Sequence, residues 1–497
     1  MTRYLLIGTG VAAISALEAI RSVDERGEVS VVSEDPHGYY SRPGLAYYLT
    51  GELEESLLFP YQKADFARLN ASFYRARAVR ILPTEREVEL EGGARLPYDK
   101  LLLATGAQAI PLNVPGANLA GVHKLDNLSD ARALLARAKR GRPALVTGGG
   151  ITALELAEGL AARGMKVHYV FRSERYWPAV LDETESRLIE SLLRREGMTL
   201  YPKTELTEIL GKNGKVTGAR LSDGKVIPAD LIAYAIGIAP RTGLAREAGI
   251  ACERGILVNE RMETSLPEIY AAGDVAQAYD PAAGKHVLDS LWTPAREQGR
   301  VAGLNMAGQP TDYVKSIPFN VTRLAGLTVT IIGAVAVPSP LAPLPKGEGN
   351  MPSPLPPLPK GEGNAPSPLA PLPKGEGNAP SHLPPSPTGR GAGGEGRGEG
   401  DLLAIARGDS ETWRELPHAI IAQSGFEVNR LRLMVGETRL LGAVVMGDQK
   451  LSAPLQKLIR DQVDITPIRS RLLTPHAPIA DILAEFVSIG NGKQVNR

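Results

Sequence analysis

Two short apolar strands, each running directly into a glycine-rich turn and a helical stretch, stand about 140 residues apart in this chain. In the first, Tyr4-Leu5-Leu6-Ile7 meets Gly8-Thr9-Gly10-Val11-Ala12-Ala13, and a helical run follows over Ile14 to Ser22. Gly8 allows a tight turn, Gly10 lets backbone approach a pyrophosphate, and Ala13 permits close helix–strand packing, with the helix N-terminus facing the phosphates. The next strand, Val29 to Ser33, ends at Glu34, where an acid would bind a ribose diol.

The second unit repeats the pattern. Ala144-Leu145-Val146-Thr147 leads into Gly148-Gly149-Gly150-Ile151-Thr152-Ala153-Leu154-Glu155, a helix reaches Arg163, and a strand runs from Lys166 to Phe171. Phe171 takes the place of the acid that would hold an adenosine ribose, and Arg172 and Arg175 follow. Arginine binds a 2′-phosphate that a carboxylate would repel, so this pattern favours NADPH. The alternative is that these arginines are a solvated surface pair in an enzyme using NADH. A third signal, Thr264-Ser265-Leu266-Pro267-Glu268-Ile269-Tyr270-Ala271-Ala272-Gly273-Asp274, is a strand ending in Gly-Asp.

Composition excludes several classes. Lys plus Arg is 56 and Asp plus Glu is 55, a balance that gives no electrostatic case for nucleic acid or a polybasic membrane anchor. Cys252 is the only cysteine, so an intrachain disulfide, a CxxC pair and an all-Cys cluster are ruled out, and a reducing compartment is expected. The seven histidines show no metal-ligand spacing, and no metal is expected. The longest apolar run, Leu324 to Val337, falls short of a membrane span. Tyr4-Leu5-Leu6-Ile7 enters the glycine motif with no signal-peptide pattern, so a cytoplasmic protein is expected.

The order of the three signals resembles the FAD-dependent pyridine nucleotide-disulfide oxidoreductase superfamily. It is most similar to the cysteine-less branch: NADH–rubredoxin and ferredoxin reductases, and the flavoprotein module of NAD(P)H nitrite reductases. The likeness covers residues 1 to about 335 and is weaker from 401 to about 475. It implies an α/β protein with two Rossmann-like domains, the NAD(P)H domain inserted in the FAD domain, and a small α+β C-terminal domain. The implied boundaries are 1–111 and 245–315 for FAD, 112–244 for NAD(P)H, 316–337 and 401–475 for the C-terminal interface domain, and 476–497 as a tail.

The resemblance also implies roles. Gly8, Gly10 and Ala13 would cradle the FAD pyrophosphate, and Glu34 would hold the adenosine ribose. Arg42 would lie along the flavin, Val79 would meet the adenine through its backbone, and Asp274, after Gly273, would bind the ribitol. Ala104-Thr105-Gly106 and Ala235-Ile236-Gly237 match the two crossings between domains. Trp292-Thr293-Pro294-Ala295 and Gln298-Gly299 match the helix under the flavin pyrimidine. Gly148 and Gly150 would hold the NAD(P)H pyrophosphate, Arg172 its 2′-phosphate, and Glu155 would stand where nicotinamide stacks.

Departures from the family narrow the chemistry. The position of its catalytic cysteine falls on Pro43, which removes dithiol exchange and a sulfenate cycle. Cys252 reads as a buried or incidental thiol. Tyr47 stands where some oxygenase-coupled ferredoxin reductases carry Lys. The expected reaction is hydride transfer from NAD(P)H to FAD, then electron release to rubredoxin, ferredoxin or a separate reductase subunit. A homodimer is also compatible. The alternative is an FAD-binding scaffold or redox sensor without turnover.

One segment is foreign to this pattern. From Pro338 to Gly400, 63 residues hold 17 of the chain's 39 prolines and 13 of its 53 glycines. Pro-Ser-Pro-Leu recurs at 338, 352 and 366, a period of 14 that suits neither helix nor sheet. A disordered insertion is expected, tolerated as a surface loop inside the C-terminal domain. The other reading is a polyproline ligand. The strand Leu327 to Gly333 precedes it, and Leu402-Leu403-Ala404-Ile405 is expected to resume order.

Overall fold

The computed structural model describes residues 1–280, 283–336, 408, 410–414, 419–426 and 429–493. The 338–400 repeat and the resumption expected at Leu402 to Ile405 lie outside these residues.

The first layer is a five-stranded parallel sheet. β1 (Arg3–Ile7), β2 (Glu28–Ser33), β3 (Ser72–Arg75), β4 (Lys100–Leu103) and a strand at Ile269–Ala271 lie in the order Ile269–Ala271, β4, β1, β2, β3. β1 is buried at Tyr4 to Ile7 because it is central and covered on both faces. Helix α1 (Val11–Val23) follows β1, and the helix Trp292–Met306 packs tightly against it. Small residues make that approach possible. A Cβ on Gly299 would stand 2.1 Å from the Ala12 carbonyl oxygen, and one on Gly303 2.3 Å from that of Ala16.

The second layer repeats the design. β5 (Val122–Lys124), β6 (Pro143–Thr147), β7 (Lys166–Val170), β8 (Thr199–Tyr201) and β9 (Leu231–Tyr234) form a parallel sheet in the order β8-β7-β6-β9-β5. Between the layers the chain crosses twice. The outgoing strand Ala107–Ala109 and the returning Ile238–Pro240 pair antiparallel, so the link is a two-stranded ribbon.

The third unit is an antiparallel sheet of β10 (Phe319–Leu324), β11 (Leu327–Gly333), β12 (Ile420–Phe426), β13 (Asn429–Val435) and β14 (Leu440–Met446), in the order β10-β11-β14-β13-β12. β11 pairs with β14, Ile331 opposite Val444, so strands before and after the repeat share one sheet. Leu324 to Gly333 is therefore the turn and second strand of a β-hairpin, and among the described residues no helix is long and apolar enough to cross a membrane. Downstream of the repeat, Trp413 is fully buried in the second domain's core, edge-on to Trp177 at 6.1 Å.

The expected 476–497 tail is corrected. Residues Ile479–Lys493 form a helix, and Ile479, Ile482 and Leu483 are buried in the C-terminal core with Leu433, Leu455 and Ile468. Their spacing puts three apolar side chains on one helical face, which supplies the burial.

Candidate functional site

The two glycine turns are built alike. Gly8 has φ +121°, and a Cβ there would stand 2.2 Å from the Ala104 carbonyl oxygen. Gly148 has φ +145°, and its Cβ would stand 2.2 Å from that of Ala235. No side chain fits at either position. Their N–H groups donate to the neighbouring strand, Gly8 to Val32 at 2.8 Å and Gly148 to Val170 at 3.1 Å.

Each turn ends at a helix start left open for an anion. Gly10 caps α1 and Gly150 caps α3 (Ile151–Ala162, with α2 at Gly44–Thr50), with no side-chain cap and no acid in either first turn. The first N–H groups of a helix lack partners within it and carry the positive end of its dipole. No heavy atom lies within 4 Å of where a Gly10 Cβ would be, so this cradle opens outward, and Ala13 behind it is fully buried. These features fit dinucleotide pyrophosphates.

Gly10, Arg42, Glu155 and Asp274 line one cleft of about 300 Å³. Arg42 donates from Nη1 to the Asp126 carbonyl oxygen at 2.9 Å and lies 3.8 Å from the Asp35 carboxylate. Burial would lower its pKa, but Tyr40, Asp126, Asp35 and Asp274 together raise it, so a cation is held in the cleft. Gly273, at φ +80°, donates its N–H to Gln298 Oε1 at 2.9 Å, which fixes the turn that presents Asp274. Pro43 lines the same cleft. Trp292 lies at the rim, 43% exposed, with Arg296 5.6 Å from its ring.

Other expected residues stand outside this cleft. Glu34, beyond β2, meets Arg241 Nη1 at 2.7 Å and Arg77 at 3.9 Å. Val79 is half-buried in the strand Ala78–Leu82. Thr105 Oγ1 donates to the Arg241 carbonyl oxygen at 3.1 Å, and the Arg241 N–H donates to Gly106 at 2.9 Å. Gly237, at φ +131°, accepts from the Ile110 N–H at 3.0 Å. Arg172 is exposed just past β7, whereas Phe171 is buried. Cys252 is half-buried against the first core, and burial pushes its thiol pKa up. Among the described residues no cluster could hold a metal ion.

Several cleft residues carried no sequence signal. Asp126 is buried in a loop, and its carboxylate lies 3.6 Å from both Lys124 and Arg241. Glu158 lines the cleft one helical turn beyond Glu155. Arg323 arrives from β10 of the C-terminal unit and pairs with Glu52. Tyr47 also lines the cleft. Arg241, outside the cleft, could have been found from sequence as the residue closing Gly237-Ile238-Ala239-Pro240-Arg241.

A family model described as pyridine nucleotide-disulphide oxidoreductase matches residues 2–299. The chain is 32% identical over 342 residues to the NADH-dependent phenylglyoxylate dehydrogenase subunit epsilon of Aromatoleum evansii, covering 68% of this chain and 80% of that one. It is 33% identical over 334 residues to the NAD(P)H nitrite reductase of Bacillus subtilis (strain 168), covering 67% of this chain but only 41% of that one. It is 30% identical over 333 residues to the rubredoxin-NAD(+) reductase of Pseudomonas putida, covering 67% of this chain and 86% of that one. In fold it matches the reductase in the covalent putidaredoxin reductase–putidaredoxin complex, with a TM-score of 0.74 at 20% identity, over 97% of this chain and 98% of that one.

Proposed function

Because the chain belongs to the pyridine nucleotide-disulphide oxidoreductase family, we propose that its cleft passes a hydride from NAD(P)H to FAD and then releases electrons to a small redox protein or a separate reductase subunit. It is an NAD(P)H-dependent flavoprotein oxidoreductase. The observation that carries the electron-transfer reading is the meeting of Gly10, Arg42, Asp274 and Glu155, drawn from both glycine-motif domains, in one cleft that Pro43 lines and no cysteine does.

Bound FAD supplies a two-electron acceptor that can release its electrons singly. The chain binds, orients and excludes water. Gly8 and Gly10 bring backbone to the FAD pyrophosphate, with Ala13 packed behind them. Asp274 accepts from a ribitol hydroxyl, and Glu34, oriented by Arg241, accepts from the adenosine ribose. Val79 lies along the adenine, while Thr105, Gly106 and Gly237 hold the crossing ribbon. Arg42 keeps its charge beside the flavin. Gly148 and Gly150 take the NAD(P)H pyrophosphate, and Glu155 borders the nicotinamide.

We further infer a preference for NADPH. Arg172 is solvent-facing, and Arg175 beside it has a buried Nε with no hydrogen-bond partner among the described residues. A 2′-phosphate would pair with the exposed Arg172 guanidinium. Relatives named as reductases and dehydrogenases favour turnover over a scaffold or sensor. The single half-buried cysteine is consistent with the cytoplasm.

The test is steady-state NAD(P)H oxidation with rubredoxin, ferredoxin, ferricyanide, quinone and nitrite offered separately. Turnover with a one-electron protein acceptor supports the reading. Turnover with quinone alone, and none with rubredoxin or ferredoxin, contradicts it.

A further inference from the structure

Oxidising NAD(P)H with one-electron acceptors leaves a proton behind: NAD(P)H gives NAD(P)⁺, two electrons and one H⁺. The electrons leave on two acceptor molecules, and the proton must leave the cleft by another route. Resting on the electron-transfer reading above, we propose that Glu158 is the proton-exchange residue of the cleft: in its carboxylate form it takes up the proton that NAD(P)H oxidation leaves behind and then passes it outward to Glu196. Each exchange moves one proton to solvent and returns Glu158 to its starting state, so charge and atoms balance.

The placement carries the argument. Glu155 and Glu158 lie one turn apart on α3 and line the same cleft. Glu158 stands toward the β10–β11 turn, where the Gly326 N–H donates to its Oε1 at 3.2 Å. The exposed Glu196 reaches the same turn, its Oε1 3.9 Å from where a Gly326 Cβ would stand. Three carboxyls thus run from the cleft wall to the surface.

Burial and two like charges disfavour the ionised form of Glu158, against the Gly326 N–H and Arg323, which favour it. Glu155 on its own helix and Glu196 at the end of the next one are like charges. Arg323, the cation on the facing hairpin, is already paired with Glu52. Behind α3, Tyr169 on β7 and Tyr176 after it are fully buried, and neither hydroxyl has a hydrogen-bond partner among the described residues. Both phenols feel the Glu158 charge, and Tyr176 feels Glu155 as well. Burial above all, then the neighbouring Glu196, pushes the Glu158 pKa up to about 8, so its carboxyl holds a proton near neutrality and can lose it.

The experiment has two readouts. The first is infrared titration of the protein without substrate. Wild type should show the carbonyl stretch of a protonated carboxylic acid at neutral pH, lost as pH rises through about 8, and Glu158→Gln should lack it. The second is the rate at which oxidised ferredoxin takes electrons from pre-reduced protein. In wild type it should rise with pH through about 8, and Glu158→Gln should be slower by tenfold or more at high pH, with no such rise. Glu158→Asp, which keeps a carboxyl, should restore a pH-dependent limb. A band that survives Glu158→Gln, or an unchanged pH profile, overturns the assignment. A protein that NAD(P)H cannot reduce at all overturns the reductase reading instead and leaves the infrared result to judge Glu158.

Discussion

Arg432 on β13 grips Glu185 through two hydrogen bonds, Nε to Oε1 at 2.9 Å and Nη2 to Oε2 at 3.0 Å, with both side chains buried. Its remaining donors reach the Val335 and Val180 carbonyl oxygens, each at 2.7 Å. Glu185 also closes a capping box with Asp182 at the start of the helix Glu183–Arg195. The C-terminal sheet is therefore bolted to the second Rossmann-like domain, which keeps Arg323 and the β10–β11 turn at the mouth of the cleft.

Breaking that pair strips a buried charge of its two short hydrogen bonds and leaves it only a longer contact, Glu185 with Arg430 at 3.7 Å or Arg432 with Asp182 at 3.8 Å. Arg432→Ala should cost on the order of 3–5 kcal/mol in stability. The double variant Arg432→Met with Glu185→Leu should lose less than either single charge removal. Urea unfolding of the three variants checks this, and a double variant less stable than both singles would contradict it.

The legible part of the molecule was local. Strand, glycine turn and helix are contiguous in sequence, so Gly8 to Ala13 and Gly148 to Glu155 could be read with their spacing and their sterics. The sequence also marked Gly273-Asp274, because a strand must end where the turn begins. What it could not show was convergence. Asp126, Glu158 and Arg323 reach the site through tertiary packing, from a loop, a helix face and a hairpin. The C-terminal helix Ile479–Lys493 was missed because its apolar face had no visible partner until the antiparallel sheet was in place.

The two glycines of the first motif should separate folding from binding. Gly8→Ala puts a Cβ against the Ala104 carbonyl at a φ that alanine rarely adopts, so soluble protein should be lost. Gly10 has an extended backbone and open space around its Cβ, so Gly10→Ala should fold normally and retain less FAD. Soluble yield and flavin content after gel filtration read the difference. Equal FAD retention in Gly10→Ala and wild type would argue against a ligand in that space.

Arg172→Ala should lower kcat/KM for NADPH about tenfold, close to the loss of one charge-assisted hydrogen bond, with little change for NADH. Equal losses for both nucleotides would make Arg172 a structural residue.

Glu158 makes stability pH-dependent with a definite sign. Its folded pKa of about 8 lies above the ordinary glutamate value of 4.5, so folding takes up a proton between those limits. Its stabilising contribution is full below 4.5 and is lost as pH rises through about 8. Glu158→Gln cannot ionise, so it should gain on wild type across that interval, by on the order of 2–4 kcal/mol at the alkaline end. Thermal melts at acidic and alkaline pH compare the two proteins. A constant difference between them would mean that Glu158 titrates as it does in water.

The central claim is that this cleft moves a hydride from NAD(P)H to FAD without a thiol, and anaerobic titration tests it most directly. The FAD-loaded protein should bleach with one equivalent of NADPH per flavin, and its colour should return when oxidised ferredoxin or rubredoxin is added. The same result should hold after Cys252→Ser. An FAD-loaded protein that stays yellow under excess NADPH and excess NADH would contradict the account.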